Sequence, residues 1–198
     1  MEKFLQERIE QHNEVFERMF GDVQFEKTVQ SVAEEIFNIM KQKKQLLLCG
    51  NGGSAADAQH IAAEFVSRFF LERQGMNAEA LTVNTSVLTA IANDYDFEKV
   101  FARQVEAKGR KGDMLIGTST SGTSNNVVEA LRYAKQKGII TVMLTGKKEN
   151  QELDEICDYL IKVPSNITPR IQEAHIFIGH LLAEWVEAKM VEEAFVCE

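Results

Sequence analysis

Gln45-Leu46-Leu47-Leu48-Cys49-Gly50-Asn51-Gly52-Gly53-Ser54 joins a short apolar run to a glycine turn. The run is too short and too evenly apolar for an amphipathic helix, and reads as a strand buried on both faces. Ser54 then opens a helix, with Asp57 three residues on in the manner of a capping box. A strand, a glycine turn and a helix in that order make the first half of a βαβ unit, and the flanking sequence repeats the pattern.

Downstream, Ala80–Val83 is expected as a second strand, and Ser86 caps a short helix containing Val87, Leu88 and Ile91. A further amphipathic helix runs through Phe97, Val100, Phe101 and Val105. Met114–Gly117 is the third strand and feeds a polar loop and a helix to about Lys137. Ile139–Leu144 and Tyr159–Val163 complete a set of five strands. Pro164 and Pro169 bracket a turn before a long helix with the stripe Ile171, Ala174, Ile178, Leu182, Trp185. Upstream, two helices precede any strand. One carries Leu5, Ile9, His12, Phe16 and Met19 on a single face, the other Phe25, Val29, Val32, Ile36 and Ile39. His12 reads as a packing or interface residue. The expectation is an α/β fold: a three-layer α/β/α sandwich on a five-stranded parallel sheet, with extra N-terminal helices.

Composition narrows the function classes. The 198 residues and an apolar share of 44% suit one domain spanning 1–198, with helices in 1–43 and the sheet core with the C-terminal helix in 44–190. A formal net charge of −8 argues against nucleic acid as a partner. No apolar run reaches membrane-spanning length, so no membrane partner is expected. The N-terminus lacks the apolar centre of a secretory signal. Cys49, Cys157 and Cys197 form neither a CxxC pair nor an even set, which suits a reducing cytoplasm. Cys49 is expected to be buried and inert.

Ligands of parallel α/β sheets bind beyond the carboxyl ends of the strands, where two loops stand out. Gly50-Asn51-Gly52-Gly53-Ser54 lets backbone N–H groups approach a ligand at a helix N-terminus. No Gly-Lys-Ser/Thr follows, and GxGxxG is absent, so ATP and NAD are not favoured. Ser119-Thr120-Ser121-Gly122-Thr123-Ser124 gathers hydroxyls and N–H groups at a second helix start, which can hold a phosphate without lysine or arginine. Its plain reading is a solvated loop with an N-cap.

His60 and Glu64 share one face of the first of these helices. The last helix offers Gln172, Glu173, His175 and His180. Alone, such residues are mostly surface pairs; near the glycine loop they can form an N/O ligand set for a divalent metal such as zinc. Gln172 and His180 stand about 12 Å apart on a straight helix. Either the helix starts after Gln172, or the two serve one ion from different subunits. Asn93-Asp94 reads as a helix end, or as a pair that recognises sugar hydroxyls.

Taken in order and spacing, Cys49–Ser54, Asp57–His60, Ala90–Asp94, Ser119–Gly122 and Arg170–His175 make the chain resemble the sugar isomerase (SIS) domain family and, within it, the phosphoheptose isomerases. The resemblance runs from about Lys44 to about Trp185, with the N-terminal helices fitting the family's layout more loosely. It implies a homotetramer with active sites at subunit interfaces and one zinc per site on His60, Glu64, Gln172 and His180. Sugar contacts would come from Asn51, Gly52, Gly53, Glu64, Asn93, Asp94 and Gln172, and phosphate contacts from Ser119, Thr120, Ser121 and Ser124. The implied reaction converts sedoheptulose 7-phosphate to D-glycero-D-manno-heptose 7-phosphate for lipopolysaccharide or surface glycan. Glu64 and His180 would transfer the protons. Some relatives instead bind the replication initiator protein without catalysis, and another sugar phosphate is a further alternative. The chain departs from the family pattern in the charged segment Lys147–Asp154, at Pro169 and in the tail after Met190.

Overall fold

A computed structural model describes residues 1–196. Its five strands are β1 (Leu46–Gly50), β2 (Ala78–Ala80), β3 (Met114–Ser119), β4 (Ile140–Thr145) and β5 (Tyr159–Lys162). All pair in parallel, in the order β2-β1-β3-β4-β5. Because side chains alternate along a strand, each strand feeds two cores. Leu46, Leu48, Met114, Ile116, Val142 and Leu144 face one side. There they meet α2 (Val23–Lys41), α3 (Gly53–Val66) and α8 (Thr168–Val196), and α1 (Glu2–Phe20) packs against α2 and α8. Leu47, Cys49, Leu115 and Met143 face α5 (Ala102–Lys108), α6 (Asn125–Gln136) and α7 (Gln151–Ile156) on the other. The three-layer α/β/α expectation holds. Among the described residues no helix is long and apolar enough to cross a membrane.

Several local expectations shift. The second strand forms at Ala78–Ala80 rather than Ala80–Val83, because pairing with β1 sets its register from Leu46↔Ala78 to Leu48↔Ala80. As an edge strand it tolerates Glu79, which reaches Lys108. Asn84, not Ser86, caps α4 (Thr85–Asp94), accepting the Val87 N–H at 3.0 Å. The amphipathic segment from Phe97 divides into a 3₁₀ turn (Phe97–Lys99) and α5, leaving Phe97 exposed. Gly52 rather than Ser54 occupies the N-cap of α3, and no side chain caps that end; Asp57 makes no capping-box bond. Asn150 caps α7 within the segment expected only to be charged. Pro169 lies in the first turn of α8, where a missing N–H costs nothing. Cys49 is fully buried and its thiol is pushed up to about 12, as an inert core cysteine requires. Cys197 lies outside the described residues.

Candidate active site

The strand order reverses between β1 and β3, and the loops leaving these two strands border the crevice where α/β sheets take ligands. The strands end level, with Gly50 beside Thr118. Asn51 and Asn126 then exchange two amide hydrogen bonds of 2.8 Å, clasping the glycine loop to the start of α6. Gly52 has φ +56°, a left-handed backbone that glycine accepts freely and that starts α3 without a capping side chain.

The second loop is tied by its own hydroxyls. Ser119 Oγ lies 2.8 Å from Ser124 Oγ and 3.3 Å from Ser121 Oγ. Ser121 Oγ accepts the Thr123 N–H at 3.2 Å. Ser124 occupies the N-cap position of α6, but its side chain makes no capping bond and turns to Ser119 instead. The first N–H groups of α6 thus lack a side-chain partner, while hydroxyls gather over the same helix end. Such an arrangement can accommodate an anion without cations.

A third group forms between α3 and α8. His60 and Glu64 lie one turn apart on α3, with Nε2 to Oε1 at 3.1 Å. His180 on α8 brings its Nε2 to 3.2 Å from that of His60. Ligand atoms of all three residues lie within 4.8 Å of one another. Tetrahedral zinc with bonds of about 2.0–2.1 Å separates its ligand atoms by about 3.3 Å, so two imidazoles and a carboxylate at these spacings suit such an ion. Close helix packing produces the geometry: a Cβ built on Gly179 would lie 2.6 Å from Ile61 Cδ1. Phe65 is fully buried beneath the group, and the Phe69 ring stands 5.6 Å from that of His180.

Gln172 does not join this group within the chain. α8 begins at Thr168, so the helix is already formed at Gln172, and one of the two explanations for the eight-residue gap to His180 is removed. Its amide instead lies over the glycine loop, with Nε2 2.6 Å from where a Cβ on Gly53 would sit. Asn93 and Asp94 are exposed at the end of α4, with the Asn93 amide donating to Asp94 at 2.9 Å. His12 pairs with Glu173 at 2.9 Å and stacks on Phe16, joining α1 to α8 as a packing residue would.

Beneath the site, burial raises the Asp57 carboxyl above the usual range, against the opposing pull of His60 and His180. Burial pushes His175 down to about 4, although its Nε2 lies 3.3 Å from the Thr145 carbonyl. At neutral pH it is an uncharged core imidazole. The amide clasp of Asn126 was not legible in the sequence, where Asn126 is one polar residue in a helix start.

Comparisons with known proteins agree with this architecture. The SIS domain family profile matches residues 9–146, taking in most of α1 and all of α2. A phosphoheptose isomerase of Clostridium acetobutylicum is 50% identical over 193 residues, 98% of each chain. Phosphoheptose isomerase 2 of Campylobacter jejuni is 50% identical over 184 residues, 93% of this chain and 91% of its own. The structure of phosphoheptose isomerase GmhA from Neisseria gonorrhoeae superimposes with a TM-score of 0.87 at 36% identity, over 94% of this chain and 98% of that one. Sequence, sheet order and these likenesses agree: the chain belongs to the SIS domain family, among its phosphoheptose isomerases.

Proposed function

We propose that the chain is an aldose–ketose isomerase converting sedoheptulose 7-phosphate to D-glycero-D-manno-heptose 7-phosphate through an enediol. The observation that carries this reading is the meeting of Glu64 with His60 and His180 at ligand spacing, in a chain that also builds a hydroxyl-lined anion cradle. The names of its near relatives support the reaction, and the non-catalytic alternative is not favoured.

The reaction moves a proton between C1 and C2 and needs one group to take it and another to serve the oxygens. Glu64 and His180 divide these tasks as carboxylate and imidazole. The Ser119, Thr120, Ser121 and Ser124 hydroxyls, with the α6 N-terminus, hold the phosphate. Asn51, Gly52, Gly53, Asn93, Asp94 and Gln172 contact the sugar. His60, Glu64 and His180, with Gln172, would hold one zinc ion per site. When bound, such an ion supplies positive charge to stabilise developing oxyanion character.

Each site is shared between subunits of a homotetramer. Gln172 lies over the glycine loop of its own chain, about 12 Å along α8 from His180. A second copy is therefore needed to bring a Gln172 to each triad. The N-terminal helices of residues 1–43 take part in assembly, with Phe4, Leu5, Ile9 and Phe20 offering exposed apolar surface. Residues 1–198 form one domain, the enzyme works in the cytoplasm, and its product enters lipopolysaccharide or surface-glycan synthesis.

The test is turnover of sedoheptulose 7-phosphate before chelation, after chelation and after zinc is restored. Loss and recovery are expected. Activity confined to a shorter sugar phosphate would replace the substrate; no activity on any sugar phosphate would remove the enzyme reading.

A further inference from the structure

One buried ion pair takes no part in the site described above. The Glu187 side chain on α8 is 1% exposed, and that of Arg73, in the segment between α3 and β2, is 6% exposed. Charges buried to this degree are costly unless their bonding groups find partners. The Glu187 carboxylate accepts the backbone N–H groups of Phe69, Phe70 and Leu71 at 2.7, 2.6 and 2.8 Å. It also lies 3.2 Å from Arg73 Nε. Burial alone would raise this carboxyl, but the three N–H bonds and Arg73 outweigh it and hold it below the usual range.

The Arg73 guanidinium turns the other way, toward the carboxyl end of α3. It donates to the carbonyls of Glu64 at 2.7 Å, Phe65 at 2.8 Å, Ser67 at 2.7 Å and Gln74 at 3.1 Å. Carbonyls at a helix end lack intrahelical partners, and a cation there is favourable. Three features tie this arrangement to the triad. Glu187 follows His180 by seven residues, two helical turns, so both lie on the face of α8 that meets α3. The Glu64 peptide itself is bonded to Arg73, and Phe69, whose N–H is held by Glu187, rests its ring against His180.

We propose that Arg73 and Glu187 are positioning residues that lock α3 to α8, so that His60, Glu64 and His180 meet at the spacing a metal ion needs. The proposal rests on the metal-centre reading of the triad. A pair that served only stability would lower the melting temperature without altering how the folded protein binds metal.

The test uses the full chain with Glu187→Gln and, as a gentler second variant, Arg73→Lys, which keeps charge but loses the planar fork. Metal-stripped protein is titrated with zinc against a chromophoric chelator, and with cobalt(II) to record its visible spectrum. All measurements are made below each variant's melting temperature, with helix content and assembly size checked. Supporting groups of this kind typically alter metal affinity by about 10–100-fold. A weakening in that range with a changed cobalt spectrum is expected, together with a wider His60–His180 separation in metal-free crystals of either variant. Wild-type affinity and spectrum in a folded variant would overturn the proposal, however far the melting temperature falls. Should the wild type bind neither ion, the metal reading fails, and the crystal separation alone decides the positioning role: an unchanged triad overturns it, a widened one sustains it. If Glu187→Gln does not fold, Arg73→Lys decides on the same readouts.

Discussion

The triad and the hydroxyl cradle are built in opposite ways. The cradle is one stretch of chain, Ser119 to Ser124, whose hydroxyls bond to their neighbours in sequence and whose charge comes from a helix end. The triad draws three side chains from two helices more than a hundred residues apart. Its geometry depends on how closely α3 and α8 pack, at Gly179 against Ile61 and through Arg73 and Glu187. A locally built element can bind through many small, redundant contacts. A tertiary one holds a few side chains whose individual loss is severe. Damage to the triad is therefore expected in kcat, and damage to the cradle in KM.

The largest effect falls on the triad. Glu64→Gln is expected to lower kcat by about 10³-fold, within the range for a proton-transfer group, with assembly and melting temperature retained. Near-normal turnover in that variant would remove Glu64 from the chemistry. Chelation comes next, with a fall of about 100-fold or more that zinc reverses. A chelated enzyme that keeps its rate would leave the triad without a metal role.

His175 lies between Gln172 and His180 on α8 and sharpens the contrast through pH. Folding holds this imidazole at about 4, against an ordinary 6.5. The unfolded chain therefore binds a proton in this window that the native protein refuses. The stability is fully present above pH about 6.5 and is lost as pH falls toward 4, by on the order of 3 kcal/mol. Denaturant melts of the wild type and His175→Gln across this range measure it, and the variant should show the shallower decline. Parallel curves would assign the acid sensitivity to other groups.

Gly179→Ala places a methyl group against Ile61 and tests the packing directly. A stability loss of about 1–3 kcal/mol is expected, with weakened metal binding but an intact cradle. An unchanged melting curve would mean that the helices have slack. The smallest effect is Ser119→Ala, which removes one neutral hydrogen-bonding group worth about 0.5–1.5 kcal/mol. KM should rise about two- to tenfold at constant kcat, and a fall confined to kcat would contradict a phosphate-holding role.

Much of the architecture was legible because a buried parallel strand leaves a local signature. Leu46–Cys49 and Met114–Gly117 are apolar on both faces, and each ends in glycine or hydroxyl residues. Where sheet edge or helix end replaced full burial, the signal blurred. The edge strand moved to Ala78–Ala80 around Glu79, and the helix expected from Phe97 broke into two pieces. At the site, His60 and Glu64 were readable as one helical face, and the cradle as one polar loop. Arg73, Glu187 and Asn126 left no such trace, since a single charged or amide residue looks the same whether buried or solvated.

By itself the sequence determined the layers, the glycine and hydroxyl loops that follow two of the strands and the helical pairing of His60 with Glu64, because each is written within a few residues of chain. Tertiary structure alone decided that His180 closes on that pair while Gln172 lies over the glycine loop. The physical reason is that spacing along one helix fixes which side chains share a face, but only packing fixes what that face meets.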